Sequence, residues 1–104
     1  MNIQFKKGVL ELCVLALLKV RDRYGYEMVM EICKHFDMSE GSIYPLLRRL
    51  MTEGYFTTYL KESSEGPPRK YYTLTEKGEE FYAGLKTEWL EFAEAVNKLV
   101  GGEI

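Results

Sequence analysis

The amino-acid sequence predicts a mainly α (α+β) fold in the order helix, helix, helix, two strands, long helix. Three observations predict it. Apolar residues recur at spacings of three and four in four separate segments. Segments 55–60 and 69–74 are rich in aromatic and β-branched residues, as strands are. Between them lies a polar stretch, 61–68, ending in Gly66, Pro67 and Pro68.

The first helix is expected over about 5–20. Its apolar residues, from Val9 and Leu10 through Leu18, wrap most of the way round, so it is expected to be buried on nearly all sides. The run 9–20 is apolar enough to raise a signal peptide. Glu11 interrupts it, no small-residue cleavage site follows, Lys19, Arg21 and Arg23 close it, and it is too short to span a bilayer. It reads as a core helix of a cytoplasmic chain.

A break at 21–25 precedes the second helix, about 24–36, with Tyr26, Val29, Met30, Cys33 and Phe36 as its expected apolar stripe. Ser39 is an expected N-cap for the third helix, with Glu40 in its first turn. Ile43, Leu46, Leu47 and Leu50 then recur at i, i+3, i+4 and i+7, and Gly54 stops the helix. Tyr44, Arg48, Arg49 and Met51 fall off that stripe. Pro45 is tolerable because it lies within the first two turns.

The 61–68 loop is too long for a tight turn and reads as an exposed, mobile finger. Thr75 is the expected N-cap of the last helix, which runs to about Val100 before Gly101 and Gly102. There Tyr82, Leu85, Trp89, Phe92, Val96 and Leu99 recur at spacings of 3, 4, 3, 4 and 3. That is a coiled-coil repeat, and it calls for a second copy of the chain as partner.

These elements make a winged helix-turn-helix with a long C-terminal dimerisation helix. Residues 1–75 form the expected DNA-binding domain and 76–104 the dimerisation helix. In this architecture the third helix enters the major groove and the finger is the wing. Ser39, Ser42 and Tyr44 supply donors for phosphates and base edges, and Arg48 reaches phosphate or guanine. Read singly, Arg48 and Arg49 are better taken as a solvated helix face. Arg69 and Lys70 are the wing cations.

The formal net charge of −2 is unusual for a protein that binds nucleic acid. It is unevenly spread. Residues 1–75 hold 11 Lys/Arg against 9 Asp/Glu, and residues 76–104 hold 3 against 7. Basic pairs stand at Lys6–Lys7, Arg48–Arg49 and Arg69–Lys70, and a local field steers a polyanion. The acidic balance keeps a second reading open, a winged-helix protein-interaction module without DNA binding. The observation that separates the two is whether Arg48, Arg69 and Lys70 share one face.

Nothing in the sequence builds an enzyme. There is one histidine, His35, with no Cys/His/Asp cluster at metal-ligand spacing, and no Gly-rich phosphate loop. Ser63 and Ser64 lack an identifiable base. No metal and no cofactor is expected. Cys13 and Cys33 read as small core hydrophobes. Glu88, Glu91 and Glu94 lie mostly off the heptad seam, as a solvated face or as an attraction for a cationic effector.

Together the motifs resemble one family. They are the 8–12 stretch from Gly8 to Leu12, the 24–28 stretch from Tyr24 to Met28, and 39–50 with its Tyr44–Pro45 pair. Glu53, Gly54 and Tyr55 follow, then 66–78 from Gly66 to Gly78. Over nearly its whole length the chain resembles the PadR family of transcriptional regulators, in the short form with a single C-terminal helix. The resemblance implies a homodimer on a palindromic operator, usually repressing. It implies DNA contacts from Ser39, Ser42, Tyr44, Arg48, Arg69 and Lys70. It implies that the last helix packs on the partner's first and last helices. Some short members take flat aromatic compounds between tryptophans of the last helix, a role Trp89 could fill. Its heptad position is equally explained by seam packing.

Overall fold

A computed structural model describes residues 3–102, with side chains from Gly8 onward. Lys6 and Lys7 therefore lie outside the described side chains. The elements are α1 (Ile3–Val20), β1 (Arg23–Tyr24), α2 (Gly25–Phe36), α3 (Glu40–Thr52), β2 (Phe56–Ser63), β3 (Gly66–Leu74) and α4 (Glu76–Val100). The antiparallel sheet has the order β1-β3-β2.

One core unites them. Val14 and Leu15 of α1, Met28 and Val29 of α2, Ile43, Leu47 and Leu50 of α3, and Phe56 of β2 are wholly buried. Each such side chain contributes about 1.5–3 kcal/mol by leaving water. The Phe56 ring meets Tyr72 edge-on, with centroids 5.2 Å apart, and so ties the sheet to the helical layer.

The stripe expected for α3 is the one buried. Its end is a Schellman motif. Gly54 takes φ +85°, its N–H donates to the Met51 carbonyl, and the Tyr55 N–H donates to that of Leu50. Ser39 does occupy the N-cap, but its hydroxyl makes no capping bond. It lies instead 3.2 Å from the Ser42 hydroxyl. Thr75 does cap α4, accepting the Gly78 N–H at 3.0 Å.

Four expectations need correction. The sheet has a third strand, because Arg23 and Tyr24 pair with Tyr72 and Tyr71. A two-residue strand is too short to leave a periodic signal. The buried residues of α2 are Met28, Val29 and Ile32, whereas Tyr26 and Met30 are exposed. Apolar residues stand on more than one face of α2, so spacing alone does not choose between them. Among the described side chains of α1, only Leu10, Val14, Leu15 and Leu18 are buried, and Val20 is exposed. The apolar girdle of α1 is thus only partly covered within one chain.

The wing is also more ordered than a polar loop suggests. Pairing continues outward to Ser63 opposite Gly66, leaving only Ser64 and Glu65 at the turn. The register shifts on the way, since Glu62 alone stands opposite Pro67 and Pro68. Proline has no N–H for the ladder, and a bulge is where a strand accommodates it.

Candidate nucleic-acid interface

Three residues, Asp37, Met38 and Ser39, join α2 to α3. Asp37 makes the turn in the left-handed region, φ 50°, which Asp tolerates better than most residues. With Ile43, Leu46, Leu47 and Leu50 facing inward, Ser39, Ser42 and Arg48 are exposed on α3. The Ser42 N–H donates to the Ser39 carbonyl at 3.1 Å, so the two hydroxyls are held together at the helix start.

Tyr44 differs from these. It is half-buried and packs against the core. The Tyr72 phenol is pushed above its usual range, chiefly by burial and secondarily by Tyr44 nearby.

The two arginines of α3 separate. Arg49 is half-buried and ion-paired to Glu11 of α1, with Glu53 at 3.9 Å. Arg48 is in no ion pair among the described residues, and its peptide carbonyl accepts the Thr52 hydroxyl at 2.9 Å. Of this basic pair, Arg48 is the member available to a ligand.

On the wing, Arg69 and Lys70 are exposed. Consecutive strand residues point to opposite faces. Arg69 shares the face of Tyr71 and lies over the Tyr24 ring, 4.5 Å from its centroid. Lys70 shares the face of Tyr72 and is paired across the sheet with Leu60. Arg69 and Lys70 therefore do not form one patch on a single face of the wing, and the shared face expected of a DNA-binding surface is not met by this pair. The cation that joins Arg69 is Lys61, its register partner on β2. Sequence reasoning misses Lys61 because it sits in a polar segment beside Glu62 and Glu65, where the strand is expected to have ended at Leu60.

The long helix has two halves. Tyr82 and Leu85 are half-buried and pack on their own chain's core, as does Phe81, whose ring stacks on Tyr55 at 4.1 Å. Those two heptad positions are thus at least partly occupied within the chain. Farther along, Trp89, Phe92, Val96 and Leu99 are exposed by 37 to 62%. An open groove of about 340 Å³ runs between α1 and α4, lined by Gly8, Val9, Leu12, Leu85, Glu88, Trp89 and Phe92.

Cys13 and Cys33 are both half-buried beside the core, and burial pushes the Cys13 thiol up. His35 lies on the α2 surface, with its Nδ1 2.9 Å from the Glu31 carbonyl oxygen. Among the described residues no helix is long and apolar enough to cross a membrane.

This arrangement of helices and wing has known counterparts. The transcriptional regulator PadR-like family matches residues 14–84. The chain belongs to that family. A solved PadR-like transcriptional regulator from Bacillus cereus is 44% identical, with TM-score 0.84, over 93% of this chain and 96% of that one. A Streptococcus transcriptional regulator is 36% identical, with TM-score 0.85, over 94% of this chain and 98% of that one. An uncharacterised protein of Lysinibacillus sphaericus is 32% identical over 100 residues, 92% of each chain. As a PadR-like protein the chain is a winged-helix, DNA-binding transcriptional regulator and not an enzyme. The family match stops at residue 84, before the heptad residues Leu85, Trp89, Phe92, Val96 and Leu99. The solved relatives extend the likeness over most of α4.

Proposed function

We propose that this PadR-like protein is a cytoplasmic, homodimeric repressor that binds a palindromic operator and is released from it by a small aromatic effector. The observation that carries the DNA half of this reading is the sorting of α3. Its apolar stripe is sealed against α1, α2 and the sheet, while Ser39, Ser42 and Arg48 are exposed. Ser39 and Ser42 at the helix start suit phosphate oxygens. Arg48, one and a half turns farther, suits a phosphate or a guanine edge. Tyr44 contributes from the margin of the same surface, and Arg69 and Lys70 from the wing.

The exposed apolar residues of the distal α4 support a dimer. A second copy would cover Phe92, Val96 and Leu99, and two copies would present two α3 helices to half-sites one turn apart. The α1–α4 groove supports the effector. Its lining is mostly apolar, with Trp89 and Phe92 for a flat ring and Glu88 for a positive substituent. Occupying it would shift the angle between subunits, and with it the spacing of the recognition helices.

Binding of the protein to its own upstream promoter DNA, titrated with salt beside an Arg69→Ala/Lys70→Ala variant, tests the reading. Saturable, sequence-selective binding with a steep salt slope, shallower in the variant, is expected. Weak binding indifferent to sequence would favour a protein-interaction module instead. Equal DNA affinity with and without every aromatic compound that binds the protein would remove the effector.

A further inference from the structure

Lys61 and Arg69 stand directly opposite each other across β2 and β3 and point to the same face of the wing. Like charges in that position repel, so the pairing costs stability unless something offsets it. No carboxylate does so, since neither side chain is in an ion pair among the described residues. Each lies over a tyrosine instead. The Lys61 Nζ is 4.9 Å from the centroid of the Tyr71 ring, and the Arg69 guanidinium carbon is 4.5 Å from that of Tyr24.

The rings under them form a row across all three strands. Tyr24 and Tyr71 are 5.8 Å apart, as are Tyr71 and Tyr59. The row is fastened at its far end, where the Tyr59 hydroxyl donates to the Asp22 carboxylate at 2.8 Å. A carboxylate partner would have held each cation and cancelled its charge. A ring face restrains the cation while leaving its charge and its N–H donors for an outside anion.

We propose that Lys61 and Arg69 form a two-cation clamp on one phosphodiester backbone of the operator, held in place by Tyr71 and Tyr24. The inference rests on the DNA-binding reading and adds to it Lys61 as a contact and the tyrosine row as positioning residues. The clamp reads phosphate, so it adds affinity and register without adding sequence preference. The cost of opposing two cations is recovered when successive phosphates of that backbone lie against them.

The test is fluorescence anisotropy of labelled promoter duplex and of a scrambled duplex, across a salt series. The proteins are the wild type, Lys61→Ala, Arg69→Ala, the double variant, and Lys86→Ala on exposed α4 as a control. Each clamp variant is expected to make the slope of log affinity against log salt shallower by about 0.9, and the double variant by about twice that. The ratio of promoter to scrambled affinity should be unchanged, and Lys86→Ala should keep the wild-type slope. Tyr71→Leu is expected to weaken binding about two- to fivefold with the slope retained, and Tyr71→Phe to restore it. A steep wild-type slope that Lys61→Ala leaves unaltered would overturn the clamp alone. A wild type with no salt-dependent duplex binding would overturn the DNA-binding reading and the clamp with it.

Discussion

Arg49 of α3 is ion-paired to Glu11 of α1, whereas its neighbour Arg48 is exposed. Two adjacent, chemically identical side chains thus stand in different surroundings. Arg49 ties α3 to α1, and Arg48 stays exposed, as the proposed DNA contact requires.

The first prediction follows from that division. Arg49→Ala leaves the largely covered Glu11 carboxylate without its partner and should cost about 1–3 kcal/mol in urea denaturation. Arg48→Ala should change stability by less than about 0.5 kcal/mol. In operator binding Arg48→Ala should lose about 1–3 kcal/mol. An Arg48→Ala protein that melts early yet binds normally would reverse the assignment.

A second prediction concerns the joint between wing and long helix. Gly78 is buried in the first turn of α4 against the backbone of Tyr55. A Cβ there would come 1.8 Å from the Tyr55 carbonyl oxygen, which already accepts the Thr75 N–H at 3.2 Å. Backbone cannot rotate away as a side chain can. Gly78→Ala should therefore cost about 3 kcal/mol or more in stability. Gly84, on the same helix, has nothing among the described residues within 4 Å of its would-be Cβ. Gly84→Ala should instead stabilise the chain by about 0.5–1 kcal/mol. Urea midpoints of the two variants provide the comparison.

Alkaline pH supplies a third. The hydrogen bond to Asp22 pushes the Tyr59 phenol up, and burial pushes Tyr72 up. Both groups hold their protons more tightly when folded. Their contribution is complete below the unfolded value of about 10 and is lost as pH rises through the folded values above it. The stability these two groups contribute should be lost only in that alkaline window. Of the eight tyrosines, these two should ionise late in a titration followed by tyrosinate absorbance. Tyr59→Phe and Tyr72→Phe should each remove one late step, and a single unresolved transition would refute it.

The fourth addresses assembly. Phe92 is half exposed at a heptad position of α4. If a second copy covers it, Phe92→Glu should weaken self-association by about 2 kcal/mol or more, some thirtyfold in the dissociation constant. Sedimentation should then show a dimer for the wild type and a monomer for the variant at equal concentration. A wild type that sediments as a monomer at all concentrations would dispose of the seam.

What is legible in the sequence is what repeats. The α3 stripe from Ile43 to Leu50 and the Thr75 cap need only local chemistry, and the structure has both. Where apolar residues crowd more than one face, periodicity does not select the buried one, and the stripe expected for α2 turns Tyr26 and Met30 inward when both are exposed. β1 escapes because its pairing with Tyr71 and Tyr72 is made across nearly fifty residues of chain. The same holds for the site. Ser39, Ser42 and Arg48 follow from their place beside the α3 stripe. Lys61 can be found only from strand register, because its partner Arg69 is adjacent in space and not in sequence.

The bulge at Pro67 and Pro68 has a further consequence for the wing. β1 covers β3 only at Tyr71 and Tyr72, so the outer part of β3 presents an open sheet edge. An open edge is a template on which another chain can add a strand. Proline, which has no N–H to offer, and a bulge, which breaks the ladder, both blunt such a template. The wing thus carries, at its outermost part, two of the features that make an exposed sheet edge a poor template for a further strand.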